Sequence, residues 1–244
     1  MQKFVLADFE NEETSVDAVF NTSVVLTPKE SRIIPIQGHL EFPLENSLNS
    51  FFKRSFDVIF SLLIITFCLS WLIPLLAIII KINSKGPVFF TQKRTGINNK
   101  SFFCRKFRTM YINEEADSKQ ASPDDPRITT AGRFMRKFSL DETPQFFNVL
   151  RGYMSVVGPR PHMLSHTEAY SKQVDNYMVR HFVKPGITGL AQVKGYRGEI
   201  SNSLMLHNRI RLDIFYIRQW NFMMDLRIIF KTFKLVLFGD KNAS

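Results

Sequence analysis

The sequence predicts an α+β domain, predominantly helical, that associates with a membrane through one apolar helical segment and through amphipathic helices. Three observations lead there. Residues 58–80 run for 23 positions without a charge, and about twenty apolar residues at 1.5 Å rise are enough to cross a bilayer's hydrocarbon. Short β-prone runs alternate with helical patterns through the middle of the chain. Near the C-terminus, apolar and basic residues recur at helical spacing on different faces.

Composition narrows the setting. A chain of 244 residues that is 45% hydrophobic is long enough for one globular domain plus a membrane element. The net charge of +10 is unevenly spread: residues 1–50 carry 3 basic and 8 acidic groups, leaving 29 basic against 14 acidic in the remainder. Such a field suits nucleic acid, anionic lipid headgroups or a phosphorylated substrate. The adjacent apolar segment favours lipid and phosphate, and no nucleic-acid recognition motif is present. The two cysteines, Cys68 and Cys104, build neither a disulfide framework nor a zinc cluster, which fits a reducing compartment. The apolar run begins after more than fifty residues and has no small-residue cleavage site, so it is expected to persist rather than act as a secretory signal.

Taken in order, residues 1–50 read as an acidic, polar extension, punctuated by Pro28, Pro35 and Pro43. Residues 51–85 form the membrane segment. Lys53 and Arg54 precede the apolar run, and Lys81, Lys85, Lys93 and Arg94 follow it; basic residues favour the cytoplasmic side, so both ends are expected there and the segment is expected to be a re-entrant hairpin. Residues 86–200 form a mixed core. Lys85-Gly86-Pro87 breaks the helix, residues 88–92 and 101–110 read as strands, 114–120 as a helix, 123–126 as a loop and 132–138 as a short helix. Residues 140–150 follow with apolar positions at Phe146, Phe147, Val149 and Leu150. Residues 201–244 supply the amphipathic helices. Over 222–238, Leu226, Ile229, Phe230, Phe233 and Leu237 share helical spacing while Arg227, Lys231 and Lys234 recur on another face, which suits a helix in the headgroup plane or one packed on the core.

Several residues carry chemistry. The adjacent carboxylates Asp141 and Glu142 follow Arg133, Arg136 and Lys137; Ser139 with Glu142 three residues later also reads as a capping box. A carboxylate there can act as a nucleophile, or hold a hard cation such as Mg²⁺ against substrate phosphates. Arg160 stands between Pro159 and Pro161, which fix the backbone around one guanidinium fork suited to phosphate oxygens. The glycine-rich run Lys184-Pro185-Gly186-Ile187-Thr188-Gly189 reads as an ordinary turn or as an anion-facing one. His162 and His166 lack a third ligand for zinc and are expected at the surface. No GxxxxGK[ST] or GxGxxG phosphate loop occurs.

The motifs gain force together. The order Lys53-Arg54-Ser55-Phe56-Asp57, apolar run, Gly86-Pro87-Val88-Phe89-Phe90-Thr91-Gln92, Lys106-Phe107-Arg108-Thr109-Met110, Asp125-Pro126-Arg127-Ile128-Thr129 resembles the bacterial sugar transferases. The stretch from Ser139-Leu140-Asp141-Glu142 to Leu150, Met154 to Pro161, and Lys184 to Val193 complete the likeness to the catalytic core of monotopic polyprenyl-phosphate phosphoglycosyl transferases, over residues 51–238. This resemblance implies transfer of sugar-1-phosphate from a nucleotide-activated sugar, usually a UDP-sugar, to polyprenyl (undecaprenyl) phosphate, releasing UMP. It would be the first membrane step of a bacterial glycan, such as exopolysaccharide or O-antigen. It further implies Asp141 as nucleophile, Glu142 completing the dyad, Mg²⁺ at Asp141 and Glu142, and phosphate contacts from Lys106, Arg127, Arg136 and Arg160. The implied location is the cytoplasmic face of the inner membrane, with inner-membrane lipids as partners; a homo-oligomer is compatible. The family's apolar segment enters and leaves by one face, and Ser70 and Pro74 mark the expected break. The family often has Ser-Pro adjacent, whereas this chain reads Ser70-Trp71-Leu72-Ile73-Pro74. The competing reading is a catalytically inert membrane scaffold for glycan assembly.

Overall fold

The computed structural model describes residues 42–113, 122, 125–200 and 202–238. Most of the acidic extension and the expected helix 114–120 lie outside the described residues.

The apolar segment is one helix, α1 (Ser47–Asn83). It begins before residue 51 because the Asn46 side chain caps it, accepting from the backbone N–H of Leu48 at 2.9 Å and of Asn49 at 3.4 Å. Ile65–Leu69 form a π-helical turn, and just beyond it Ser70 Oγ donates to the Thr66 carbonyl at 2.7 Å. Pro74 lies inside the helix without ending it, although its ring removes the N–H that would reach the Ser70 carbonyl. Among the described residues α1 alone is long and apolar enough to cross a membrane.

One face of α1 packs on the domain and the other is bare. Lys53, Asp57, Ser61, Leu69, Leu76 and Ile80 are buried, at spacings that keep them on one helical stripe. Ile59, Leu63, Phe67, Trp71, Ile78 and Ile82 are exposed on other faces, and so large an unpartnered apolar surface marks a lipid or protein contact. Both ends of α1 touch the same domain. Near its start, Arg54 donates to the carbonyls of Val149 and Leu150, while Asp57 accepts from Ser155 Oγ and the Val156 N–H. Towards its end, Leu76 and Ile80 pack with Phe107 and Met135.

Lys53, read in sequence as a flank marking the cytoplasmic side, is buried instead. Its Nζ lies 2.6 Å from Asp225 Oδ2, and Asp225 also accepts from Tyr216 at 2.8 Å and Trp220 at 3.1 Å. A buried charge persists only when paired and hydrogen-bonded, and this cluster clamps α1 to the C-terminal helices.

Two small sheets carry the core between the helices. Strands β1 (Phe89–Thr95) and β2 (Ser101–Phe107) form an antiparallel hairpin with Phe90 opposite Lys106 and Arg94 opposite Phe102. Asn98 and Asn99 turn it with positive φ, a conformation asparagine tolerates. The second expected strand ends at Phe107 rather than 110. After it come α2 (Thr130–Lys137), a 3₁₀ turn (Leu140–Glu142), α3 (Gln145–Leu150), β3 (Ser155–Val157) and α4 (Leu164–Ser171). A 3₁₀ turn (Tyr177–His181), β4 (Gly186–Thr188) and α5 (Leu190–Val193) complete the middle. β3 and β4 pair in parallel, Ser155 opposite Gly186. The glycine-rich run is therefore a strand and not an anion-facing turn: the Gly186 N–H is spent on the Pro159 carbonyl at 2.9 Å. A Cβ on Gly186 would lie 2.1 Å from the Gly158 nitrogen, so this close approach requires glycine.

Helix α6 (Ser203–Arg218) runs through the main core, where Leu206, Ile210, Phe215 and Ile217 meet Val149, Met154 and Val157. Helix α7 spans Phe222–Phe238, as its periodicity predicts. Met224, Asp225 and Ile228 face inward, while Leu226, Phe230, Phe233 and Leu237 are exposed. Core packing and an exposed apolar face thus coexist on one helix.

Candidate active site

Local chain geometry brings the two carboxylates together. α2 ends after Arg136 and Lys137, and Ser139 then adopts a left-handed conformation at φ 57°. Its side chain makes no cap, so the expected capping box does not form; Ser139 Oγ accepts instead from Arg197 at 2.6 Å. This reversal sets Asp141 and Glu142 in the 3₁₀ turn, both buried. Pro144 then opens α3.

Glu142 is the electrostatic centre. Its Oε1 accepts from Lys106 Nζ at 2.7 Å and from Arg160 Nη2 at 2.7 Å. Its Oε2 accepts from Arg160 Nη1 at 3.2 Å and from Arg197 Nη2 at 3.1 Å. The Arg160 contact is the two-pronged guanidinium to carboxylate geometry, aimed by the Pro159 and Pro161 neighbours. Burial opposes ionisation of Glu142, but Arg160, Lys106 and Arg197 outweigh it and hold the carboxyl well below the ordinary 4.5. Burial likewise works against the Arg160 charge, and Glu142 more than restores it.

Asp141 is placed differently. No side chain donates a hydrogen bond to it among the described residues, and burial together with the neighbouring Glu142 charge pushes its pKa above the ordinary 3.8, against the pull of Lys106, Arg136 and Arg197. Two adjacent carboxylates have thus been driven apart, Glu142 firmly ionised and Asp141 costly to ionise, a division that marks functional sites.

Both carboxylates line a cavity of about 370 Å³, large enough for a small-molecule ligand. Lys106, Arg136, Arg160 and Arg197 share its wall. Arg136 is steadied by a 2.9 Å bond from its Nε to Thr109 Oγ1, and burial lowers its pKa. Arg127 is not on this wall; it is held by Asp125, with Nη2 2.6 Å from Oδ2. The wall also reaches the exit of α1, where Arg108 donates to the carbonyls of Pro87 at 2.6 Å, Lys85 at 2.8 Å and Ser84 at 2.9 Å. The cavity is therefore built against the membrane-segment exit.

Three wall residues were not legible in sequence. Arg197 sits in a loop 55 positions from Glu142, flanked by Gly195 and Gly198, and its only signal was a basic residue between glycines. Arg209 lies on α6 within an apolar pattern. His162, expected at the surface, is 4% exposed, because its Nδ1 meets the Tyr177 hydroxyl at 2.7 Å and its ring packs on Tyr170 and Tyr177. It precedes α4, so it shares no helix face with His166, which is half-buried on the same wall.

A hard divalent cation takes oxygen ligands. Among the described residues no three His, Cys, Asp or Glu side chains gather to hold a metal. Glu142 has both oxygens occupied by cations, so of the expected pair only Asp141 offers an unengaged carboxylate.

Residues 48–239 match the family model described as bacterial sugar transferase. The chain belongs to that family. Among curated relatives, this sugar transferase is 48% identical over 200 residues to the UDP-glucose:undecaprenyl-phosphate glucose-1-phosphate transferase of Klebsiella pneumoniae, covering 82% of the chain and 43% of that protein. It is 42% identical over 189 residues to the protein of the same name in Caulobacter vibrioides, covering 77% of the chain and 70% of the relative. A UDP-N-acetylgalactosamine-undecaprenyl-phosphate N-acetylgalactosaminephosphotransferase of Aeromonas hydrophila is 38% identical over 80% of the chain and 46% of its own length. The chain thus spans less than half the length of two of these three relatives.

Proposed function

We propose that this family member is a phosphoglycosyl transferase that moves a sugar-1-phosphate from a UDP-sugar to undecaprenyl phosphate, through a covalent intermediate on Asp141. The observation that carries the reading is the split dyad: a buried Asp141 with no hydrogen-bond donor among the described residues, beside a Glu142 held by three cations. A carboxylate without donors has its lone pairs free for attack, and the cations provide fixed positive charge for phosphate oxygens. Asp141 would attack the phosphorus next to the sugar, and the bond to the bridging oxygen breaks with its electron pair leaving on UMP. Undecaprenyl phosphate would then displace Asp141 from the phosphosugar. Glu142 keeps Lys106, Arg160 and Arg197 pointed at the reacting phosphates. Mg²⁺ would add neutralisation of phosphate charge when bound, and of the dyad Asp141 is the carboxylate that would help hold it.

The sequence-wide likeness to UDP-glucose transferases makes UDP-glucose the first donor to test. We also read α1 as a re-entrant anchor at the cytoplasmic face of the inner membrane, because both of its ends engage one domain and the dyad cavity adjoins its exit. Incubation with UDP-glucose, Mg²⁺ and undecaprenyl phosphate should release UMP, and Asp141→Asn should abolish release. An Asn variant with full activity would sink the nucleophile, and wild-type protein inert with every UDP-sugar would favour the scaffold reading. Cysteines introduced at positions 50 and 85 in sealed vesicles should be labelled from the same side; labelling from opposite sides would require a span.

A further inference from the structure

The cavity wall also includes His162, His166, Tyr170 and Arg209, none of which is hydrogen-bonded to the dyad among the described residues. Two of these side chains carry an unmet nitrogen. Arg209 is 3% exposed; its Nη2 donates to the Gly198 carbonyl at 2.6 Å, while its buried Nε–H meets no acceptor among the described residues. His162 Nε2 is also buried and has no partner among the described residues. A buried donor left unmet is costly, so each such group calls for an explanation.

One arrangement of the hydrogen-bond network satisfies every group on the Nδ1 side of His162. Arg180 Nη1 donates to the Tyr177 hydroxyl oxygen at 3.3 Å. The Tyr177 proton is satisfied if it goes to His162 Nδ1, 2.7 Å away, which makes Nδ1 the acceptor. Burial, with Arg180 and Arg209 nearby, holds the His162 pKa well below the ordinary 6.5. The ring is therefore neutral, and its single proton sits on Nε2. Both orphans are then N–H donors.

This part of the wall also carries a charge with little compensation. Arg209 remains a cation at neutral pH, although burial and Arg160 lower it to about 10. Among the described residues the acid that supports its charge, Asp213, is committed to Arg180, which reaches it through Nε at 3.2 Å and Nη2 at 2.8 Å. A sugar presents hydroxyls that donate as well as accept. A phosphate presents acceptors only, with negative charge, and that is what a donor-only cationic pair matches.

Building on the proposed function, we infer that His162 and Arg209 hold the phosphate of the departing nucleoside monophosphate, while the Glu142 cations serve the phosphate attacked by Asp141. The two sets of residues adjoin, since Arg160 is the neighbouring charge that most lowers the Arg209 pKa. When the bridging oxygen leaves phosphorus it keeps the electron pair, so negative charge grows on the half held by Arg209 and His162.

Binding of UMP, uridine and glucose 1-phosphate to the full chain in micelles tests the assignment. Arg209→Gln should raise the UMP dissociation constant about ten- to hundredfold, the range of a hydrogen bond to a charged group, and leave glucose 1-phosphate within about twofold. His162→Phe, which keeps the ring packing, should weaken UMP by a smaller factor and leave uridine unchanged. It serves if Arg209→Gln fails to fold. A loss that falls on glucose 1-phosphate, or variants that bind UMP like wild type, overturns this assignment alone. Wild-type protein that neither binds UMP nor consumes any UDP-sugar overturns the proposed function with it.

Discussion

Replacing Glu142 by Gln removes one charge and almost no volume from the centre of the site. Four hydrogen bonds from Lys106, Arg160 and Arg197 converge on this carboxylate at 2.7–3.2 Å, and its side chain is 5% exposed. Leaving one partner of a buried pair uncompensated costs about 3–5 kcal/mol. The three cations are 14–22% exposed and the amide oxygen still accepts from one or two of them, so the low end, about 3 kcal/mol, applies. For a domain of this size each kcal/mol moves the melting temperature by about 2–4 °C, giving a drop of about 6–12 °C in scanning fluorimetry at neutral pH. The sign with pH follows from the direction of the shift. Because the folded Glu142 pKa lies well below 4.5, its stabilisation is present above that value and is lost as pH falls through the folded pKa. The gap between variant and wild type should narrow in acid. A variant that melts with wild type at neutral pH, or a gap that widens in acid, would refute the claim that Glu142 organises the cations.

Three further outcomes test other parts of the fold and site. The acid limb of the pH–rate profile should lie above the ordinary Asp value of 3.8, since the Asp141 pKa is raised and only its ionised form attacks; in Glu142→Gln, with the neighbouring charge gone, the limb should move to lower pH. By the same sign, ionised Asp141 costs stability as pH rises through its folded pKa, so Asp141→Asn should melt no lower than wild type at pH 7 while losing activity. In the anchor, Asp225→Asn and Lys53→Met should each cost about 3–5 kcal/mol, and the double variant should cost less than their sum, checked by urea unfolding in micelles; strict additivity would mean the pair is not coupled.

Local patterns were readable where they depend on neighbours in sequence. The charge-free run gave α1, helical spacing gave α7 to the residue, and β-prone runs gave strands near β1 and β2 but not their pairing. Asp141 and Glu142 stood out as adjacent acids after a basic helix, and the flanking prolines singled out Arg160. What failed depends on distance along the chain. Nothing near Lys53 announces Asp225, 172 positions away, so a buried ion pair read as a membrane flank. Arg197 and Arg209 reach the cavity only once α5 and α6 are folded behind it. His162 looked solvated because its partner, Tyr177, lies across a loop. Ser139 looked like a cap because the capping pattern is blind to the left-handed turn that Arg197 supports.

The covalent step is the centre of the account, and intact-mass measurement tests it. Protein mixed with UDP-glucose and Mg²⁺ in the absence of undecaprenyl phosphate should gain the mass of one hexose phosphate, located on the peptide containing Asp141, with one UMP released per adduct. Addition of undecaprenyl phosphate should then remove the adduct. UMP release that requires the lipid acceptor, with no adduct formed before it, would contradict a nucleophilic Asp141.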